Sequence, residues 1–323
     1  MMKNSGNAVS SAGSRASLWL GALFCCALWG LAPALIKTGY ALMNIEATGS
    51  IVVFAGSRFF IAGWMVLLFY CLSRKKLPKI ERKDVKPILV LALFQTFGQY
   101  FFYYLGAANA SGVMVSVLSG MSALLALLLS ACVFRLEKMT TLKLLGCIVG
   151  FLGIVWMNAG PGGFAFTFSG EGMIFLSQVS SALSAVCIQI FSKKSSPVLL
   201  SGWQFVVGGA GLILFGLCLP DHSVAWSTSG LGVLAVLAFV SAGAYSLWGV
   251  LLSRYPVSSV SVFGCTIGLF GVCFSALILH ETLSLKVAGA ALVTSLGILL
   301  VNAHLPKRKE KKSEVKAECG KPL

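Results

Sequence analysis

"GMSALLALLLSACVFRLEKMTTLKLLGCIVGFLGIVWMNA" (residues 120–159) and "GCTIGLFGVCFSALILHETLSLKVAGAALVTSLGILLVNA" (residues 264–303) lie 144 positions apart, and their likeness decides how the chain folds. Set one over the other, Gly120 meets Gly264, Glu137 meets Glu281, Gly153 meets Gly297, Ile154 meets Ile298, and Asn158-Ala159 meet Asn302-Ala303. Each copy is an apolar run, a turn carrying one glutamate, and a second apolar run spaced by glycines. An apolar run of about 20 residues is the length of helix that crosses a hydrocarbon core of about 30 Å. The sequence therefore contains a duplicated pair of membrane spans.

Working outward, the composition agrees. Of 323 residues, 57% are hydrophobic and 11% charged, with a mean hydropathy of +0.89, where a soluble domain carries about 25% charged residues. Ten apolar stretches are expected to span the membrane: 18–38, 48–72, 87–105, 112–134, 141–159, 170–192, 197–219, 230–249, 256–279 and 285–304. They are continuously apolar and do not alternate, which favours helices over a barrel, and a helix satisfies its own backbone in lipid. The expected fold is an all-α integral membrane protein with ten transmembrane helices. Each copy of the repeat holds five spans, an odd number, so the second copy enters the membrane upside down. The expected units are a cytoplasmic N-terminal segment (1–17), two inverted five-helix repeats (18–159 and 170–304) and a basic cytoplasmic tail (305–323).

Cations orient the bundle, because Lys and Arg gather on cytoplasmic connections. With the N-terminus inside, the inner connections hold Arg74, Lys75, Lys76, Lys79, Arg82, Lys83, Lys86, Arg135, Lys138, Lys143, Lys193, Lys194 and Arg254, and the tail adds seven more, while the outer connections hold Lys37 and Lys286. Both termini are expected in the cytoplasm of a multi-pass plasma membrane protein. The net charge of +15 is accounted for by an anionic inner leaflet, with no call on nucleic acid. A cleaved signal peptide is disfavoured because the first apolar stretch is too long and lacks a small-residue cleavage site.

Nine of the ten cysteines fall within spans with no CxxC pair, and His222, His280 and His304 are isolated near helix ends, so no metal site and no cofactor is expected. The acidic residues lie in loops, tails or at span edges. A proton- or sodium-coupled pump places a carboxylate on its ion path, so uniport or exchange is the more economical mechanism. Glu171, at the start of span 6, is the one candidate for coupling. No GxxxxGK[ST] phosphate loop is present.

Polar side chains inside spans are costly, and those sharing a helical face are site candidates. In span 3, Gln95, Gln99 and Tyr103 recur every four residues and are read as lining a cavity. Span 4 offers Ser119, span 6 Gln178 beside Ser177, Ser181 and Ser184, and span 8 Ser241, Tyr245 and Trp248. Serines and glycines also serve close helix packing. Trp29 and Pro33 in "WGLAP" either kink span 1 beside a pathway or pack in the bilayer. Glu137 and Glu281 read as helix-turn residues, with Thr140 and Ser284 able to cap the following helices.

"WGLAP", "SRFFIAG", "YYLGAANASG", "RLEKMTTLKLLG" and "HETLSLKVAG" resemble the EamA family of the drug/metabolite transporter superfamily, over residues 18–304. The resemblance implies ten helices in two inverted halves, a central cavity lined by spans 1, 3, 4, 6, 8 and 9, and passage of a small solute such as an amino acid or related metabolite. The expected partners are that solute and the lipid bilayer, with a homodimer left open. Importers and drug efflux proteins share the fold. An intramembrane lipid-modifying enzyme would need a carboxylate pair, a metal cluster or a Ser/His couple within the spans, and none is visible. No enzymatic activity is expected. A channel is disfavoured because inverted repeats suit alternating access.

Arg58 in "SRFFIAG" sits about ten residues into span 2, roughly 15 Å deep, and cannot shed its charge. Placing "WQFVVGG" beneath "SRFFIAG" sets Gln204 opposite Arg58, Phe205 opposite Phe59 and Gly209 opposite Gly63. A polar group at this point in both halves suggests side-chain bonds to neighbouring helix backbones. Arg58 and Gln204 are therefore read as structural, with a counter-charge for substrate as the alternative for Arg58.

Overall fold

Peptide groups have no water to bond inside a bilayer, and the chain meets that constraint with helices. The computed structural model describes residues 5–75, 77–109, 118–119, 121–158, 167–279 and 285–303, and no strand occurs among them. Among the described residues, six helices are long and apolar enough to cross a membrane: Ala16–Met43, Thr48–Arg74, Arg82–Ala107, Phe168–Phe191, Pro197–Leu217 and Thr228–Arg254. Four apolar helices are shorter: Ser122–Val133, Thr141–Trp156, Val257–Gly271 and Ala288–Asn302. These four fall in the expected spans 4, 5, 9 and 10.

The helices are labelled in chain order: α1 (Ser5–Met43) and α2 (Thr48–Arg74); α3, which joins Arg82–Leu91, a π-helical turn Ala92–Gly98 and Gln99–Asn109; and α4, Ser122–Leu128 with π-helical Leu129–Val133. Then come α5 (Thr141–Asn158), α6 (π-helical Phe168–Gly172 running into Met173–Phe191), α7 (Pro197–Leu217) and α8 (Thr228–Arg254). The last are α9, which joins Val257–Ser261, a 3₁₀ turn Val262–Thr266 and Ile267–Leu279, and α10 (Leu285–Asn302). Residues 5–17, expected as a separate segment, continue the first helix, since no proline stands there to stop it. The tail 305–323 and the Glu281 turn lie outside the described residues.

Turns at the basic end are tied by side chains. Pro197 opens α7 at its first turn, where its missing N–H costs nothing. Asp84 Oδ2 accepts from the Glu81 amide at 3.1 Å, closing the start of α3, and Asp84 also accepts from the Ser195 hydroxyl of the α6–α7 turn. Trp203 Nε1 donates to the Pro78 carbonyl at 3.0 Å, holding the α2–α3 connection against α7.

Two helix pairs pack with backbones in near contact, α2 on α7 and α5 on α10. A Cβ placed on Gly56 would lie 2.8 Å from the Gly209 carbonyl, and one on Gly63 2.8 Å from the Gly202 carbonyl. As numbers rise on α2 they fall on α7, so the two helices run antiparallel. In α5 and α10, a Cβ on Gly146 would lie 2.7 Å from the Gly297 carbonyl and one on Gly153 3.1 Å from the Ala290 carbonyl, again antiparallel. Small residues are what let helices approach this closely in lipid.

The contacts exchange under the sequence repeat. Because Gly63 corresponds to Gly209, and by the same register Gly56 to Gly202, the contact of Gly56 with Gly209 becomes that of Gly202 with Gly63. The α5–α10 contacts exchange likewise, with Gly146 replaced by Ala290 and Gly153 by Gly297. Three further contacts pair off in the same manner: α1 on α8 with α6 on α3, α1 on α9 with α6 on α4, and α2 on α8 with α7 on α3.

Candidate functional site

The polar groups of the bundle interior converge where α1, α2, α3 and α8 meet. Arg58 of α2 is 2% exposed, and its Nε donates to Ser241 Oγ of α8 at 2.8 Å. Its guanidinium carbon lies 5.2 Å from the centre of the Phe59 ring. Tyr40, Tyr100, Tyr104 and Tyr245 all lie within the field of its charge, and the Tyr104 hydroxyl neighbours both the guanidinium and Tyr40. The ion pairs among the described residues are Lys83 with Glu81 and Lys143 with Glu137, so no acidic partner faces Arg58 there.

Aromatic side chains form one wall. Trp29 meets Tyr245 edge to face at 4.9 Å and Trp248 at 5.0 Å. Phe59 lies 4.3 Å from Tyr100 and 5.2 Å from Phe205 between ring centres. The hydroxyls of Tyr100 and Tyr245 are hydrogen-bonded to each other, and Gln99 reaches Tyr245. Trp29 Nε1 is buried with no hydrogen-bond partner among the described residues. Tryptophan N–H groups normally find a partner when buried, so an unpaired one is informative.

The other half repeats the Arg58 tie without its charge. Gln204 of α7, fully buried, accepts through Oε1 from Thr96 Oγ1 of α3 at 2.6 Å. Both bonds go to side-chain hydroxyls, where sequence reading expected backbone groups. Gln204 Nε2 and Gln95 Oε1 have no hydrogen-bond partner among the described residues.

The polar stripe expected along span 3 is re-routed by the π-helical turn Ala92–Gly98, which adds a residue to the turn. Gln95 is buried at 3% exposure, Thr96 takes the bond to Gln204, and Tyr100 and Tyr104 face Tyr245 and Arg58. Gln99 and Tyr103 are half-buried beside them, Tyr103 with its ring 5.9 Å from that of Tyr104. Of the sequence candidates, Trp29, Gln99, Tyr245, Trp248 and Arg58 thus come together. Gln178 is buried within α6 at 6% exposure, and Ser119 is half-buried beside the start of α4. Tyr40, Tyr100, Tyr104 and Thr96 were missed, although the run "QYFFYYLG" did advertise tyrosines near mid-span.

The two described glutamates among the candidates serve helix ends. Glu171 Oε2 accepts from the Thr167 amide at 2.7 Å and the Thr167 hydroxyl at 2.9 Å, while Thr167 Oγ1 accepts from the Gly170 amide, closing the start of α6. At the basic end, Glu137 accepts from the Ser258 amide at 3.1 Å, the Ser258 and Ser130 hydroxyls and Lys143. It thereby pins the α4–α5 turn to the start of α9, a different helix from the one that follows it. Thr140 caps that following helix, accepting from the Lys143 amide at 3.3 Å. Burial pushes the Glu137 carboxyl up, but Lys143, Ser130 and Ser258 outweigh it and hold the group below the ordinary carboxylate range. Glu281 lies outside the described residues.

Polar and aromatic side chains thus cluster, closely packed and with no ion-paired acid on Arg58 among the described residues, inside a duplicated helical bundle. The model of the EamA-like transporter family matches residues 17–159 and 168–303. The chain belongs to the EamA-like transporter family. Similar relatives include an uncharacterized transporter of Archaeoglobus fulgidus, 28% identical over 88% of this chain and 98% of the relative. A probable amino-acid metabolite efflux pump of Salmonella typhimurium is 27% identical over 84% of this chain and 90% of the relative. A solved crystal structure superposes with a TM-score of 0.74 over 89% of this chain and 97% of its own, at 18% identity, which speaks for a shared fold.

Proposed function

We propose that this EamA-like protein is a secondary transporter moving a small polar or amphipathic solute, such as an amino acid or related metabolite, across the plasma membrane. In this reading all ten helices cross the bilayer, in two inverted five-helix halves (18–159 and 170–304), and the basic end of the bundle faces the cytoplasm with both termini. The halves rock about the α2–α7 and α5–α10 seams and open the packed cluster around Arg58, Tyr100, Tyr245 and Trp29 alternately to either side. The observation that carries the reading is the exchange of the helix contacts under the sequence repeat, since a bundle built of two equivalent, opposed halves has two equivalent ways to close. The relative named as a probable amino-acid metabolite efflux pump supports the cargo class and export as the direction.

Both oxygen-accepting roles of Glu171 Oε2 are spent on its own helix end, which supports transport without an ion pathway through it. The test is reconstitution into liposomes with a panel of labelled solutes, with and without a pH gradient. Saturable uptake of one solute class, unaffected by the gradient and by Glu171→Gln, is the expected result. Gradient-driven accumulation lost in Glu171→Gln would overturn the coupling reading. A lipid chemically altered while no solute moved would overturn transport itself.

A further inference from the structure

We infer that Arg58 is the anchor for a carboxylate on the cargo, an inference that rests on the transport reading and narrows its substrate class. Two side chains stand at equivalent points of the two halves and each ties its helix to a hydroxyl of a neighbour, Arg58 donating to Ser241 between α2 and α8, and Gln204 accepting from Thr96 between α7 and α3. The second tie is made by an uncharged amide. Hydrogen bonding therefore explains why position 58 is polar, and leaves its positive charge unexplained. A permanent cation buried in a span is costly unless something neutralises it, and among the described residues no acid does.

What surrounds the charge is suited to receiving an anion. Nε is committed to Ser241 and the Tyr104 hydroxyl also bonds the guanidinium, but a planar guanidinium carries five N–H donors, enough to hold a carboxylate as well. Tyrosine hydroxyls stand around it, and the unpartnered N–H of Trp29 lies beyond Tyr245. Trp29, Trp248 and Phe59 supply apolar faces for the rest of the molecule. One unpaired cation calls for one negative charge, so the cargo is a small monocarboxylate or zwitterion with an apolar or aromatic body.

The test compares labelled amino acids with their amides, which keep side chain and amine and lose the anion, in liposomes carrying the full-length protein. For wild type the account expects saturable uptake of an acid and about tenfold or weaker apparent affinity for its amide, from loss of a charge-assisted bond. Arg58→Gln should erase that preference, Arg58→Lys should keep part of it, and Gln204→Ala, which breaks only the neutral tie, should leave it intact. Equal uptake of acid and amide by wild type would overturn the inference while leaving transport standing, and needs no variant to fold. An undiminished preference for the acid in Arg58→Gln would overturn it too. Uptake of amines or amides alone would sink Arg58 as anchor and spare the transporter. If wild type moved no solute of any class, the transport reading would fall and the inference with it.

Discussion

At the scale of single residues, position decides what a polar group does. Arg58 and Gln204 were legible as a pair because their neighbours Phe59 and Phe205, Gly63 and Gly209 align between the halves. Their partners Ser241 and Thr96 were less so, since a hydroxyl in a span can bond its own helix, and Ser241 does so as well, donating to the Leu237 carbonyl at 2.9 Å. Glu137 is the residue where charge, burial and architecture can be separated by titration. Its side chain is 7% exposed and is held ionised by Lys143, Ser130 and Ser258. A carboxyl held below its ordinary range stabilises the fold fully above that range, and the contribution fades as pH falls through the lowered value. Glu137→Gln should cost on the order of 3 kcal/mol at neutral pH, the scale for breaking a buried pair. Thermal unfolding in detergent reads this: wild type should lose stability on acidification below the ordinary glutamate range, and the variant should lack that part of the acid loss. Equal acid profiles would remove Glu137 as the pin between the α4–α5 turn and α9.

At the scale of elements, the helices lie where continuous hydropathy placed them, because twenty apolar residues in lipid have few other solutions. Hydropathy could not read the interruptions. α3 carries a π-helical turn and α9 a 3₁₀ turn, and after the first of them Tyr100 and Tyr104 face Tyr245 and Arg58 in place of the expected straight stripe. The glycine seams give this scale its sharpest prediction. At Gly56 a methyl group would meet the Ile213 amide at 2.7 Å and the Gly209 carbonyl at 2.8 Å, both backbone atoms that cannot step aside. Gly56→Val should therefore destabilise the protein by about 3 kcal/mol or more and abolish transport. Gly243 of α8 meets nothing within 4 Å, and Gly243→Ala should be neutral or stabilising by up to about 1 kcal/mol. Tolerance of valine at position 56, with full transport, would mean that α2 and α7 do not pack as described.

At the scale of the whole molecule, the repeat that opened the sequence returns as geometry. Five spans per copy would require the second copy to be inverted, and the equivalent helices α2 and α7, and α5 and α10, run antiparallel in contact. What sequence could not supply is which polar groups cluster together, since that depends on how α1, α2, α3 and α8 cross. A carrier with two equivalent ways to close must bind cargo on one side before releasing it on the other, and this separates it from a channel and from an enzyme. Counterflow in proteoliposomes measures that property directly. Vesicles are loaded with an excess of an unlabelled amino acid and diluted into a trace of the labelled form. The account predicts a transient overshoot of internal label above its equilibrium level, lost in Gly56→Val. Label that rises monotonically to equilibrium, at a rate linear in concentration without saturation, would contradict it.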